Sequence, residues 1–276
     1  MEFEKKLQNK AHWKHVFSAD NIAHRSIKLE SSCKPPMWFP TSKSVSRLLQ
    51  TREPLMHDLL THLDVNSDVI AIAEYPEEVE YWTVATNGEP TIRSHVPNLA
   101  VLMRDGLVAV IDVMSTANQA ERPGIDQRTD DLKAHYQGLQ AHYVLLDEKT
   151  IRQQPHFDNR RHMWSLRKVA GQHPDYDRIA RSILKQPLPL SIRDLMRRVR
   201  PIVLSSDWSD ETGPVFTAVA QLAMAGQVQV DMNRRFSQHT VVRFRPQLGE
   251  VRPLPPSRRR PASSLGTTRG PATAAA

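Results

Sequence analysis

The chain has 276 residues, 39% of them hydrophobic and 24% charged, which is enough for one large or two small domains with buried cores. It contains no apolar run of about 18 residues, so no transmembrane helix and no membrane partner is expected, and Met1-Glu2-Phe3-Glu4-Lys5-Lys6 lacks the apolar stretch of a signal peptide. The single cysteine, Cys33, excludes an internal disulfide and a cysteine-based zinc site and fits a cytoplasmic setting, while a formal net charge of +7 favours a polyanionic partner such as nucleic acid.

Residues 1–44 read as a basic, irregular arm. Lys28, Lys34 and Lys43 supply charge, and Pro35, Pro36 and Pro40 break helices. Within it His12-Trp13-Lys14-His15 mixes aromatic and basic groups, suited to packing on a core or to touching DNA. Leu55, Leu59, Leu60 and Leu63 follow helical spacing and predict a helix over about 53–62. Strands are expected at 69–76 and 79–84, with Asn87-Gly88 as a turn. The apolar runs Leu99–Met103 and Leu107–Met114 are joined by Arg104-Asp105-Gly106, a strong hairpin signal. A loop over 115–125, a helix over 130–139, a strand over 141–146 and a short helix over 147–153 complete an α/β core.

Beyond Pro155 the pattern changes, and Arg160, Arg161, Arg167 and Lys168 surround Trp164. A short helix is expected over 178–185. Ser191 then caps a helix whose inner face is Ile192, Leu195, Met196 and Val199, with Asp194 placed as in a capping box. Arg193, Arg197, Arg198 and Arg200 lie outside that face. A second helix over 214–225 stops at Gly226, and strands at 228–230 and 240–244 flank a polar turn with Arg234 and Arg235. Helix, helix and basic hairpin form a winged-helix pattern, a layout that serves DNA binding and protein binding alike. Its candidate nucleic-acid contacts are Arg193, Arg197, Arg198, Arg234 and Arg235. Residues 246–276, rich in Pro, Arg, Ser, Thr and Ala and including Arg258-Arg259-Arg260, read as a disordered basic tail.

The central hairpin has the layout of a metal-binding nuclease hairpin, with one polar group at the entry of the first strand (Asn98) and an acid near the exit of the second (Asp112). Metal-dependent phosphodiester hydrolysis needs hard oxygen ligands, two of them converging on one cation, and a lysine beside them. Asp112 is the best ligand, Asn98 offers an amide oxygen, and Glu53 is the candidate helical acid. Asn98 stands where an acid is expected and Met114 where a lysine is expected, and Lys133 could replace that lysine from a neighbouring helix. The bland alternative makes Asp112 a strand-end residue, Asn98 a cap, Met114 core and Lys133 part of a solvated helix face.

The order of elements resembles the TnsA-type endonucleases of heteromeric transposases, members of the PD-(D/E)XK nuclease superfamily. The resemblance covers roughly 45–170. It rests on Leu59-Leu60, Asp68-Val69, Glu74-Tyr75-Pro76, Val79-Glu80-Tyr81, Pro97-Asn98, Asp112-Val113-Met114, Val144-Leu145-Leu146-Asp147-Glu148, Ile151-Arg152 and Asn159. It implies a restriction-endonuclease-like core at 45–170, a smaller winged-helix-like domain at 171–245 and the tail at 246–276. It further implies cleavage of double-stranded DNA at a transposon end with Mg2+ or Mn2+, an integrase-type transposase partner and other transposition proteins, and association with the nucleoid. The family's first acid maps to Asn98, its second acid or Gln to Asp112, its lysine to Met114, and its helical Glu to Glu53 or, in a shifted register, to Met56. These departures imply an impaired metal site and a role in assembling a transposition complex. The alternative is a winged-helix DNA-binding regulator that uses the α/β part as a scaffold.

Overall fold

The computed structural model describes residues 2–21, 37–85, 87–169, 172, 175–199 and 213–246. Lys28, Cys33, Lys34, Pro35, Pro36, Arg200 and the tail arginines Arg258, Arg259 and Arg260 lie outside the described residues. The chain divides into a unit spanning Met1–Arg245 and a second one spanning Pro246–Ala276.

The centre is a four-stranded sheet of β3 (Val69–Glu74), β6 (Leu99–Met103), β7 (Val108–Val113) and β8 (Ala141–Leu146), in the order β3-β6-β7-β8. The first three strands run antiparallel, and β8 pairs parallel with β7. Antiparallel β6 and β7 need only a tight turn. Gly106 provides it at φ 87, and the Asp105 carboxylate accepts the Leu107 N–H at 3.1 Å. Parallel strands need a crossover, which the helix α4 (Ile125–Gly138) supplies between β7 and β8.

Period-two alternation divides β7 between two layers. Val108 and Val110 pack with Leu132 and Tyr136 of α4 and with Tyr143 of β8. Ile111 and Val113 pack on the other face with Leu55, Met56 and Leu59 of α2 (Pro54–Val65). The leucine periodicity of α2 is thus the stripe that faces the sheet, and the helix runs three residues past the expected end.

The N-terminal segment departs from the expected irregular arm. Residues Glu2–Val16 form the helix α1, because nothing in that stretch breaks a helix before the prolines at 35 and 36. Trp13 and Val16 are buried against the α4 side of the sheet, and Trp13 Nε1 and Asn9 Nδ2 donate to the Leu139 and Gly138 carbonyls at the end of α4. The strands β1 (Met37–Pro40) and β2 (Leu48–Thr51) form one separate hairpin, and β4 (Val79–Val84) and β5 (Pro90–His95) form another. No strand was expected at β5, whose Pro-Thr-Ile-Arg-Ser-His composition carries little apolar signal. The expected loop after β7 contains the short helix α3 (Thr116–Ala120), capped by the Ser115 hydroxyl.

The C-terminal part runs α5 (Glu148–Ile151), α6 (His156–Ser165), α7 (Asp175–Leu184), β9 (Leu190–Ser191), α8 (Ile192–Val199), α9 (Pro214–Met224), β10 (Val228–Val230) and β11 (Val241–Phe244). Its sheet has the order β10-β11-β9, and its own core joins Ile179, Ile183, Ile192, Leu195, Phe216, Val219 and Phe236. The expected cap of α8 is present. Ser191 Oγ accepts the Asp194 N–H at 3.1 Å and donates to the Asp194 carboxylate at 2.7 Å. Arg245 is bonded to Ser67 and Asp68, and Trp164 Nε1 donates to Asp64 at 3.0 Å, which ties this part to the end of α2.

Candidate functional site

Asp112 lies one residue before the end of β7, on the face of the sheet that α4 covers. Its side chain is 5% exposed. Four donors converge on it. Oδ1 accepts the Asn98 backbone N–H at 3.0 Å, and Oδ2 accepts from His95 Nε2 at 2.6 Å, from Tyr143 Oη at 2.6 Å and from the Arg128 guanidinium at 3.0 Å. The Arg128 guanidinium also lies against the His95 ring, 3.2 Å from Nδ1 and 3.1 Å from Nε2, so the three side chains close on one another. Burial works to raise the Asp112 carboxyl, but His95, Tyr143 and Arg128 outweigh it and hold it below its ordinary value. Burial and the neighbouring Asp112 charge push the Tyr143 hydroxyl the other way, far up, so it remains a donor.

The register explains the convergence. Tyr143 on β8 stands opposite Val110, so it shares the face of Asp112. His95 ends β5 and is followed by Val96 and Pro97 into β6. Arg128 occupies the same stripe of α4 as Leu132 and Tyr136, at spacings of four, so it faces the sheet.

The other expected site residues are distributed differently. Asn98 uses its side-chain oxygen to accept the Val113 N–H at 2.8 Å, closing the β6–β7 ladder, and its carbonyl accepts the Tyr75 N–H at 3.0 Å. Met114 is 8% exposed, and its N–H extends the pairing with β8 to the Leu146 carbonyl. Glu53 is the N-cap residue of α2, the helix on the opposite face of the sheet from Asp112. Met56, the shifted-register alternative, is wholly buried in that layer beneath the Tyr75 hydroxyl. Lys133 points outward from α4 and pairs at 2.9 Å with Asp130, both well exposed. The structure therefore brings Asn98 and Asp112 together and leaves Glu53 and Lys133 elsewhere.

The magnesium site implied by the resemblance requires carboxylate or carbonyl oxygens with free lone pairs and water in the remaining positions. Both oxygens of Asp112 and the side-chain oxygen of Asn98 already accept protein hydrogen bonds, and a guanidinium stands against Asp112. No group of three His, Cys, Asp or Glu side chains that could hold a metal ion occurs among the described residues. The residues around Asp112 do not fit a divalent cation.

His95, Arg128 and Tyr143 were missed by reading the sequence. Arg128 lies ahead of the helix expected over 130–139, and it joins the stripe of Leu132 and Tyr136 only because α4 starts at Ile125. His95 and Tyr143 carry no local signal, since they meet Asp112 only through strand pairing.

A second candidate surface lies in the C-terminal part. Arg193, Arg197 and Arg198 on α8 are exposed, as are Arg234 and Arg235 in the loop between β10 and β11. The Ile192 and Arg193 N–H groups donate to the Thr240 and Gln238 carbonyls at 3.0 and 2.8 Å, which sets the start of α8 against that loop. Asn159 of α6, 2% exposed, fixes the loop from the other side. Its amide nitrogen donates to the Met232 and Arg234 carbonyls at 3.0 and 2.8 Å, and its oxygen accepts the Phe236 N–H at 2.8 Å.

Among proteins of known family, no family model matches this chain, and no curated protein matches it.

Proposed function

We propose that the chain is a DNA-binding subunit of TnsA type, built on a PD-(D/E)XK nuclease core, that helps assemble a transposition complex beside an integrase-type transposase and has lost metal-dependent hydrolysis at the Asp112 position. The observation that carries the reading is that α2, β3, the β6–β7 hairpin and, after α4, β8 lie where the resemblance expects its helix, first strand, hairpin and later strand. Asn98 and Asp112 meet at the strand ends where the family's acids are expected, and their hydrogen bonds favour an architectural role. The succession α7, β9, α8, α9, β10, β11 agrees with a winged-helix arrangement and supports duplex DNA as the partner, together with the net charge of +7. A sequence-specific winged-helix regulator is supported less well, because α9 offers no charged side chain.

The test is cleavage of supercoiled plasmid in Mg2+ or Mn2+ by the wild type and Asp112→Asn, with and without the transposase subunits, alongside a binding assay on linear duplex. The expected result is DNA binding that weakens with salt and no nicking that depends on Asp112. Metal-dependent nicking lost in Asp112→Asn would overturn the loss of hydrolysis, and absence of DNA binding would overturn the whole reading.

A further inference from the structure

We propose that the C-terminal part binds duplex DNA through the phosphate backbone alone, by the arginines of α8 and of the β10–β11 loop, without reading base sequence; the inference rests on the DNA-binding function proposed above. When paired helices dock on DNA, the second enters the major groove and presents polar side chains to base edges. Here that helix is α9, and Pro214–Met224 contains no charged residue. Seven of its residues, Val215, Phe216, Thr217, Ala218, Val219, Ala220 and Leu222, are buried. Its one long polar side chain, Gln221, donates to the Leu166 carbonyl at 3.0 Å and exchanges two hydrogen bonds with Gln172. The helix is a core element, and a groove-reading face is missing from it.

The cations stand on the elements beside it. Arg193 and Arg197 lie one turn apart on α8, with Arg198 next to them, and Arg197 is 69% exposed. The backbone bonds from Ile192 and Arg193, with the clamp of Asn159, join α8 and the Arg234–Arg235 loop into one surface. Among the described residues, the two acids on this surface already have partners. Asp194 takes the Ser191 hydroxyl and lies 3.6 Å from Arg197, and Asp231 accepts from Asn233 within its own turn. Guanidinium forks match phosphate oxygens, and phosphate contacts hold a protein on DNA without conveying sequence.

The experiment is fluorescence anisotropy of the full chain on two duplexes of equal length and unrelated sequence, over a series of salt concentrations. It is repeated with the Arg193→Gln, Arg197→Gln, Arg198→Gln triple variant, whose melting temperature is checked against wild type. The expected result is equal Kd for both duplexes, a log Kd against log salt slope that falls by about 3 in the triple variant, and a loss of affinity of the same factor on both sequences. A tenfold or greater preference of the wild type for one duplex overturns backbone-only binding and leaves the DNA-binding function standing. A folded triple variant that binds as wild type does overturns the assignment of the surface to α8. Failure of the wild type to bind either duplex at low salt overturns the DNA-binding function itself.

Discussion

Arg128 reaches from α4 to Asp112 on β7 and closes, at 3.0 Å, a carboxylate already held by His95 and Tyr143. The positive charge at this strand end is therefore covalently part of the chain. Removing Asp112 strands three side-chain donors, whereas removing Arg128 leaves the carboxylate with His95, Tyr143 and the Asn98 N–H. Asp112→Ala is expected to lower stability by about 3–5 kcal/mol, and Arg128→Met by a smaller amount because Asp112 keeps its other donors. Denaturant melts of the two single variants and the double variant check this. The double variant should be less destabilised than the sum of the singles.

The same carboxylate sets an acid limit. Its folded pKa lies below the unfolded one, so its stabilising contribution is complete above the ordinary carboxylate value of about 3.9 and is lost as pH falls through the depressed folded value. Wild type should lose stability steeply in that acid range, and Asp112→Asn should show a shallower decline. Thermal melts across an acid pH series measure both slopes, and parallel slopes would contradict the assignment.

Glu74 at the end of β3 behaves in the opposite sense. Burial pushes it up to about 7 against the opposing Gln50 N–H, which donates to its carboxylate at 2.8 Å. Its stability contribution is complete below the unfolded value and falls as pH rises through about 7. Glu74→Gln keeps the acceptor and removes the charge. It is expected to raise the melting temperature at pH 8 and to change it less at pH 5.

Divalent cations provide a direct check on the Asp112 cluster. A ligand that binds only the folded state raises the melting temperature. Addition of Mg2+ or Mn2+ is expected to leave the wild-type melting temperature unchanged at constant ionic strength. An increase lost in Asp112→Asn would show that the carboxylate releases its protein donors to a metal.

Asn159 supplies three hydrogen bonds from a buried position to the loop that carries Arg234. Asn159→Ala strands three backbone groups and is expected to cost about 3 kcal/mol. The loop over 231–240 should gain a new cleavage in limited proteolysis that wild type lacks, ahead of any change in the central sheet.

The elements with strong periodicity were legible in the sequence. Asp105-Gly106 located the β6–β7 hairpin, and the leucines of α2 and Ser191-Asp194 located two helices, because those signals depend on neighbours in the chain. The helix α1 and strand β5 were not legible, since α1 is held by contacts with α4 and β5 by its pairing with β4. The candidate site divides in the same way. Asn98 and Asp112 were read as neighbours from the hairpin, whereas the groups that fill Asp112 come from β5, α4 and β8. A motif names the carboxylate but not the donors that the fold brings to it.

Gly226 ends α9 at φ 74, and a β-carbon there would meet Ser67 Cβ and the Arg245 guanidinium at 3.1 Å. One missing side chain thus permits both the turn after α9 and the close seam between β11 and the α2–β3 connection. Any residue larger than glycine at 226 would be strained at that φ and would act as a wedge between Arg245 and Ser67.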